Sequence, residues 1–580
     1  MKTFTTKAVT AAILSSLSLS AAADLYQVEE IPTADNFRHS FPRDINAQNF
    51  VVGISRLPTD VDITKVSQRI LDNLEIDSLE SLTQEEREIL IKALANEQLG
   101  IIGVEREQPQ RVGINRAFYF DSALQSVEPI PPTGEEWADS SDSFFYSINN
   151  ANSAVGYSTA PYELVEYTYT DSDGAEQSRE YFISDFISRG VWFNNGEITQ
   201  VTPPETEYLG GETALMDVND SGLAAGYAST AVSPRAEERI AECTPEDEET
   251  IVTKPLQVCV WEIWFSLKNS TAGNIEPYTF SLYSRSNSGS FGANRSIYDV
   301  RGFLWQLGAN GNVIGEPERL GTLMPRKEDD KNDFSSYAYT VNNNGIAGGQ
   351  SWTYHPDLDA VKMPAIFMNG DALPITEDPK YRWGSVNDIN DNNIATGYLA
   401  EVISSKLRTT SFVFDVNSKE LTMLPGFFTG SSTVANAINT NGIVVGTGEI
   451  EASLSIRDRA AFMFDSTKEG AEFINLNNAI SCEAPYNIIE ANSINDSGVI
   501  VATALKPEEY TDSDGETQTR DVVVTLKLDP SAADGELNDC TEQENLVERQ
   551  GASLGFGSLF GFISLGALIS VFRRKSKINS

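Results

Sequence analysis

Short runs of alternating apolar and polar residues make up most of this chain, and one pattern of them is written seven times. Its clearest copy, DVNDSGLAAGY at 217–227, sets an apolar residue before Asn, then polar residues, a turn residue, and small residues ending in Gly. Further copies stand at 340–350, 388–398, 437–447 and 493–503, with looser ones at 44–54 and 147–157. The residue after the apolar position is always Asn: Asn46, Asn149, Asn219, Asn342, Asn390, Asn439 and Asn495. An Asn at a strand end bonds the backbone two residues on and starts a turn. Three residues later only Gly or Asn occurs, as Gly222 and Asn393 illustrate. These two residues accept positive φ most readily, which predicts a tight hairpin turn and makes the seven Asn residues turn chemistry. Four positions beyond that come Gly53, Gly156, Gly226, Gly349, Gly397, Gly446 and Ala502, where small side chains predict the close approach of another backbone.

A short aromatic strand lies upstream of most copies: AFYF (117–120), GVWF (190–193), GFLW (302–305), AIFM (365–368), SFVF (411–414) and AFMF (461–464). A second alternating strand follows it, as in LTMLP at 421–425. One repeat then reads as an aromatic strand, a second strand, a strand into the Asn, and a small-residue strand. Four strands in about fifty residues match a propeller blade, and the last four Asn residues lie 48, 49 and 56 residues apart. YQVEEIP (26–32) precedes the first phrase and VVVTLKL (522–528) follows the last, so joining the ends completes a blade and leaves no free sheet edge. The expected fold class is all-β, a seven-bladed β-propeller closed by its N- and C-terminal strands, with an open β-solenoid as the alternative.

Insertions at 56–113, 158–187, 228–300 and 504–520 separate small-residue strands from the aromatic strands after them. Alternating strand direction brings them out on one face, with the short Asn turns on the other. Loops on a rigid scaffold commonly carry binding sites. Within the helical insertion 56–110, residues 62–75 set Ile63, Val66, Ile70, Leu71 and Leu74 at helical spacing. Thr83 and Glu86 form a capping box for a second helix with the stripe Ile89, Leu90, Ala93 and Leu94. YTDSDG occurs at 169–174 and again at 510–515, and reads as the tips of two projecting hairpins.

Charge and processing signals narrow the partners. With 42 basic and 84 acidic residues the net charge is −42, which argues against nucleic acid, whose phosphates need clustered Lys and Arg. Residues 1–23 read as an export signal, with Lys2 and Lys7, a short apolar run and Ala21-Ala22-Ala23 as the cleavage site. Export makes the four cysteines disulfide candidates, most simply Cys243 with Cys259 across an acidic loop in the insertion 228–300, and Cys482 with Cys540. After the propeller domain 24–540 and a linker 541–553, the uncharged stretch 554–572 is about long enough to span a bilayer. The basic tail 573–580, with Arg573, Arg574 and Lys575, would stay cytoplasmic.

Candidate chemistry is sparse. Asp171, Asp173, Asp512 and Asp514 lie in D-x-D-G turns, where oxygen-rich loops suit calcium, with metal-free turns as the alternative; no other cofactor is indicated. The two histidines are His39, in the loop of the split blade, and His355. No G-x-S-x-G or H-E-x-x-H occurs, and a glycosidase pair cannot be chosen among 84 acidic residues. The aromatic strands read as core. Trp137, Trp261, Trp264 and Trp352 lie outside them and are the surface candidates, of which Trp261 and Trp264, beside Cys259, are the binding candidates.

The aromatic strand, a Leu-containing strand such as ERLGTL (318–323) and the I-N-x-x-G-x-x-x-G phrase together resemble the HAF-type extracellular repeat of bacterial exported proteins, over nearly all of 24–529. The tail resembles the GlyGly-type C-terminal sorting signals of Gram-negative secreted proteins, with Gly551-Ala552 at the glycine pair. The resemblance implies cleavage by a rhomboid-like protease; a plain membrane anchor is the alternative. Location would be membrane-anchored facing the periplasm, or cell-surface and extracellular after processing. No activity or catalytic residue comes with either resemblance. The expected function is a non-enzymatic exported scaffold that binds an extracellular protein or glycan through its insertion-rich face. A hydrolase of extracellular polymer with carboxylates at the axial channel, and a structural cell-surface protein, are the alternatives.

Overall fold

A computed structural model describes residues 24–540 apart from 95–109, 129, 132–135, 246–249, 268–294, 404–405, 453–457, 512–514 and 532–534. The expected export signal and C-terminal hydrophobic helix lie outside the described residues. Among those described, no helix is long and apolar enough to cross a membrane. Seven four-stranded antiparallel sheets stand in a ring, and the chain is a closed seven-bladed β-propeller rather than an open solenoid.

Each blade begins at the axis with the strand that runs into the Asn. In blade 5 the order from axis to rim is Tyr381–Ile389, Ile394–Ile403, Lys406–Asp415 and Glu420–Met423. The four strand types are those expected from sequence, but the grouping is shifted by two strands. The aromatic strand pairs with the small-residue strand before it, in an unbroken ladder from Ile394↔Asp415 to Ile403↔Lys406. Packing explains the shift. Gly397 lies opposite Phe412, just as Gly53 lies opposite Phe118 and Gly446 opposite Phe462, so a missing side chain sits beside each large ring. The other neighbour of Gly397 is a β-bulge in the innermost strand between Val386 and Asp388. A Cβ on Gly397 would sit 2.0 Å from the Ser385 carbonyl oxygen, which accounts for the small residue at this position of each phrase.

The insertions therefore lie inside blades, between second and third strands, and still emerge on the face opposite the Asn turns. Closure is also shifted. Blade 7 takes three strands from the C-terminal end and one, Tyr26–Ile31, from the N-terminal end. That strand pairs with Thr517–Pro530 from Tyr26↔Pro530 to Ile31↔Thr525. Disulfides join Cys482 to Cys540 and Cys243 to Cys259. The first ties the segment after the last strand back to the chain beside blade 7, where Asp24 and Glu536 also form a β-bridge.

The core runs between blades. Phe118, Phe367, Phe412 and Phe462 of the aromatic strands are fully enclosed. In the first insertion, α1 (Gln68–Asn73) is shorter than the 62–75 expected, because Val61 and Ile63 are buried from an irregular segment and helix begins only after Ser67. Helix α2 (Gln84–Leu94) carries the expected capping box: Thr83 N donates to the Glu86 carboxylate at 2.8 Å, and Glu86 N donates to Thr83 Oγ1 at 3.2 Å. Its buried stripe is Leu90, Ile91 and Leu94, whereas Ile89 is 40% exposed, so the helix is turned by about one position from the expected face. The third insertion contributes α3 (Pro234–Ala241) and α4 (Leu256–Leu267).

Candidate functional site

The seven Asn residues do more than start turns. Each side-chain oxygen accepts from the backbone N–H groups two and four residues on, as Asn219 Oδ1 does from Ser221 N at 3.0 Å and Leu223 N at 2.9 Å. Each Nδ2 then reaches sideways to the main-chain oxygen of the next Asn. Asn46 donates to Asn149, Asn149 to Asn219, Asn219 to Asn342, Asn342 to Asn390, Asn390 to Asn439, Asn439 to Asn495, and Asn495 back to Asn46. These bonds run from 2.9 to 3.1 Å and close a circle around the axis. Turn chemistry alone, the expectation from sequence, is therefore corrected: one side chain shapes its own hairpin and staples the next blade. On the outer side of this circle Asn150 bonds Asp220, Asn343 bonds Asp391, and Thr440 N bonds Asp496, leaving that face polar and internally paired.

Two residues before each Asn, the bulge turns a side chain toward the axis. Blades 1, 3 and 5 supply Asp44, Asp217 and Asp388. Each carboxylate accepts a backbone N–H from the following blade: Ile148 N to Asp44 Oδ2 at 2.9 Å, Val341 N to Asp217 Oδ2 at 2.7 Å, and Ile438 N to Asp388 Oδ2 at 2.8 Å. Hydroxyls of Ser147, Thr340 and Ser493 fill the gaps, and Ser493 Oγ donates to Asp44 Oδ1 at 2.7 Å. Burial pushes Asp44 up to about 6, Asp388 up to about 7, and Asp217 upward, and repulsion among the carboxylates adds to it at Asp44 and Asp388. A carboxyl held above its ordinary range of about 4 binds its proton more tightly when folded. Its contribution to stability is thus greatest at low pH and is lost as pH rises to about 7 at Asp388. Denaturant midpoints at pH 6 and pH 8 should therefore differ more for the wild type than for Asp388→Asn, whose amide does not titrate. Identical differences would contradict this assignment.

One layer further in, the wall divides. Blades 2 to 4 contribute aromatic side chains: Phe144 lies 4.6 Å from Tyr157, Tyr146 stacks on Tyr157 at 5.9 Å, and Tyr227 meets Tyr337 edge-on at 5.2 Å. Gln350 Nε2 donates to the Tyr339 hydroxyl at 2.6 Å. Blades 6, 7 and 1 contribute Asn436, Glu490 and Arg43. Asn436 Nδ2 donates to Glu490 Oε1 at 3.0 Å, and the Arg43 guanidinium stands 5.4 Å from the Tyr146 ring. Tyr146, Tyr157, Tyr227, Tyr337 and Tyr339 keep part of their surface accessible although they belong to the two innermost strands of their blades. Nearer the insertion-bearing face, Lys362 Nζ lies 4.9 Å from the Tyr337 ring and 5.1 Å from Trp352; burial lowers it to about 8, with Asp333 opposing.

The residues singled out from sequence mostly lie elsewhere. Trp264 is turned into the core beside Cys243 and Tyr298, and Trp352, at 2% exposure, is a core residue rather than a surface one. Trp261 is partly accessible, stacked on Phe265 and 5.0 Å from Arg111, beside a small hollow lined by Tyr162, Phe182 and Leu209. Asp171 Oδ1 accepts from Asp173 N and Ala175 N, and Oδ2 from Gln177 Nε2, so its carboxylate is engaged by its own hairpin turn. Asp512 and Asp514 lie outside the described residues. Among the described residues no three His, Cys, Asp or Glu side chains are placed to share a metal ion. His39 is in the innermost strand of blade 1, not a loop; its Nδ1 accepts from Val523 N at 3.1 Å, and burial lowers it to about 3, keeping the ring neutral. His355 ends a strand, its Nδ1 accepting from Asp357 N while Nε2 donates to the Pro379 carbonyl.

The axial residues were missed because most of them, Arg43, Tyr146, Tyr339 and Asn436 among them, stand just before the repeated phrase, while Tyr157, Tyr227 and Gln350 take its variable last position. A partial signal was there: the residue after the phrase's Gly is Tyr in three copies, of which Tyr157 and Tyr227 reach the axial wall while Tyr398 is packed in the core with Trp383.

The two faces also differ in exposed apolar surface. Leu358, Val402 (44% exposed), Ile403 (47%) and Ile450 crown blades 4, 5 and 6 on the insertion-bearing face, and Ile251 and Val252 stand in the third insertion. On the Asn-turn side the comparable side chains are scattered: Val313 and Ile314 in the rim loop of blade 3, and Ile198 and Leu373 beside the outer hairpins of blades 2 and 4.

Fold and axis thus define a closed seven-bladed propeller, locked at one end by an Asn circle and lined further in by tyrosine and amide groups. The chain belongs to the family described as protein of unknown function, DUF3466, which matches residues 3–575. No curated protein matches it.

Proposed function

We propose that this protein is an exported, non-enzymatic scaffold that docks an extracellular protein or glycan on its insertion-bearing face. The observation that carries this is the asymmetry of the faces. Apolar side chains cluster around the tips of blades 4 to 6, where a soluble surface would ordinarily be polar, while the Asn-turn face pairs its polar groups with one another. The three carboxylates beside the Asn circle favour a scaffold over the alternative of a polymer hydrolase, since Asp44, Asp217 and Asp388 are each bound to a backbone N–H of the next blade and act as staples. In this reading residues 1–23 direct export, and the stretch 554–572 either anchors the protein or is removed by a sorting protease.

Binding of the labelled protein to isolated cell-envelope fractions tests the proposal. The double variant Val402→Lys, Ile403→Lys should bind at least about tenfold more weakly, a loss of about 1.4 kcal/mol, while Asn150→Ser on the opposite face should bind as the wild type. Equal binding by all three proteins would overturn it.

A further inference from the structure

We propose that the aromatic and amide wall on the propeller axis is a binding site for a neutral saccharide. This rests on the reading of the protein as a binding scaffold and gives it a second, separate ligand site.

Sugars are recognised by two kinds of group at once: rings that cover their C–H faces, and polar side chains that pair their hydroxyls. Both kinds meet here on opposite sides of one axis. Tyr146 and Tyr157 stand nearly parallel, with 14° between their planes, and Tyr337 and Tyr339 repeat that stack two blades away at 18°. Facing them are Asn436 and Glu490, themselves hydrogen-bonded, with Asn492 two residues further along the same strand, its Oδ1 accepting from Thr503 Oγ1. These tyrosines are only partly buried, unlike the fully enclosed Phe118, Phe367, Phe412 and Phe462 of the aromatic strands.

One group points to the ligand directly. Gln350 is only 5% exposed and gives its Nε2 to Tyr339, yet its carbonyl oxygen Oε1 has no hydrogen-bond partner. A buried acceptor without a donor costs about 1–3 kcal/mol, and a sugar hydroxyl supplies that donor. The phenols of Tyr157, Tyr227 and Tyr337 are held protonated by burial, so they too can donate to a hydroxyl or ring oxygen. The groups that would pair its hydroxyls, Gln350, Asn436 and the tyrosine phenols, carry no charge, which fits a neutral sugar.

Isothermal titration of the full chain with maltotetraose, cellotetraose and chitotetraose, and with tetragalacturonate as the acidic probe, tests this. At least one neutral probe should bind in preference to the acidic one. Gln350→Leu, which fills the same space without the acceptor, and Tyr157→Ala should each weaken it about tenfold or more, with thermal melts establishing that both remain folded. Tyr339→Phe keeps the ring and loses the hydroxyl, so it should weaken binding without a packing defect. Absence of binding by all three neutral probes, preference for tetragalacturonate, or affinities unchanged in the three axial variants would overturn the assignment. The double variant Val402→Lys, Ile403→Lys should keep full saccharide affinity. Envelope binding that persists in the axial variants and fails in that double variant, with no saccharide bound, would remove this site and leave the face-docking proposal standing.

Discussion

Protein that begins at residue 33, lacking Tyr26–Ile31, is expected to lose its cooperative unfolding transition and to associate. The deleted strand is only six residues long, but it is the outer strand of blade 7 and holds the ring shut. Ile31 is fully buried and Tyr26 nearly so. Complete burial of a large apolar side chain contributes roughly 1.5–3 kcal/mol, and each ladder hydrogen bond about 1 kcal/mol net. Six paired positions therefore carry an amount comparable to the whole net stability of a typical domain, about 5–15 kcal/mol. What remains exposes the edge of the 14-residue strand Thr517–Pro530, whose segment Val522–Leu528 is rich in β-branched and apolar residues. An unpaired edge of that kind templates association with another chain. Calorimetry and size-exclusion chromatography check this. An unchanged melting temperature and a monomeric profile would show that closure does not depend on the N-terminal strand.

The second large effect separates the two jobs of the repeated Asn. Asp starts turns about as well as Asn, so turn chemistry alone makes Asn219→Asp nearly neutral. The circle predicts otherwise. Asn219 Nδ2 donates to the Asn342 carbonyl at 3.0 Å in a buried setting, and Asp would turn a carboxylate oxygen toward that carbonyl. The cost should be about 2 kcal/mol or more, from a lost hydrogen bond and an unsatisfied buried acceptor. Asn219→Ala also loses the bonds to Ser221 N and Leu223 N and should cost about 3 kcal/mol or more. Denaturant unfolding measures both. Asp at this position with wild-type stability would return the seven Asn residues to turn formation alone.

How far the sequence could be read follows from what each residue depends on. The Asn turns depend on local backbone geometry, and so they were legible: Asn393 and Gly222 have the positive φ that their residue types suggested. The capping box of α2 and both disulfides are short-range or nearly forced by number, and they too stand as expected. The phase of the blades was not legible, because an aromatic strand is equally close in sequence to the strands on either side of it. What decides is the fit of Phe412 over Gly397, which exists only once the sheet has formed. The Asn circle was hidden for a related reason. Its bonds join residues between 48 and 449 positions apart, and nothing at either end of such a bond announces its partner. The axial wall was hardest to see. Tyr146, Gln350 and Glu490 come from three different blades and share no local motif, so only closure of the ring brings them to one axis. Trp264 misled in the opposite way: a large aromatic in an insertion looks exposed in sequence, but the insertion builds its own core around Cys243 and Tyr298.

The repeat accordingly accounts for shape, and the segments that vary account for recognition. Hydroxyl-radical footprinting of the full chain, alone and bound to isolated cell-envelope material, tests that division most directly. Protection should fall on Leu358, Val402, Ile403 and Ile450 at the tips of blades 4 to 6, while Val313 and Ile314 across the ring stay as reactive as in the free protein. Protection of Val313 and Ile314 with continued reactivity at Val402 and Ile403 would contradict the account and place the docking surface on the Asn-turn side.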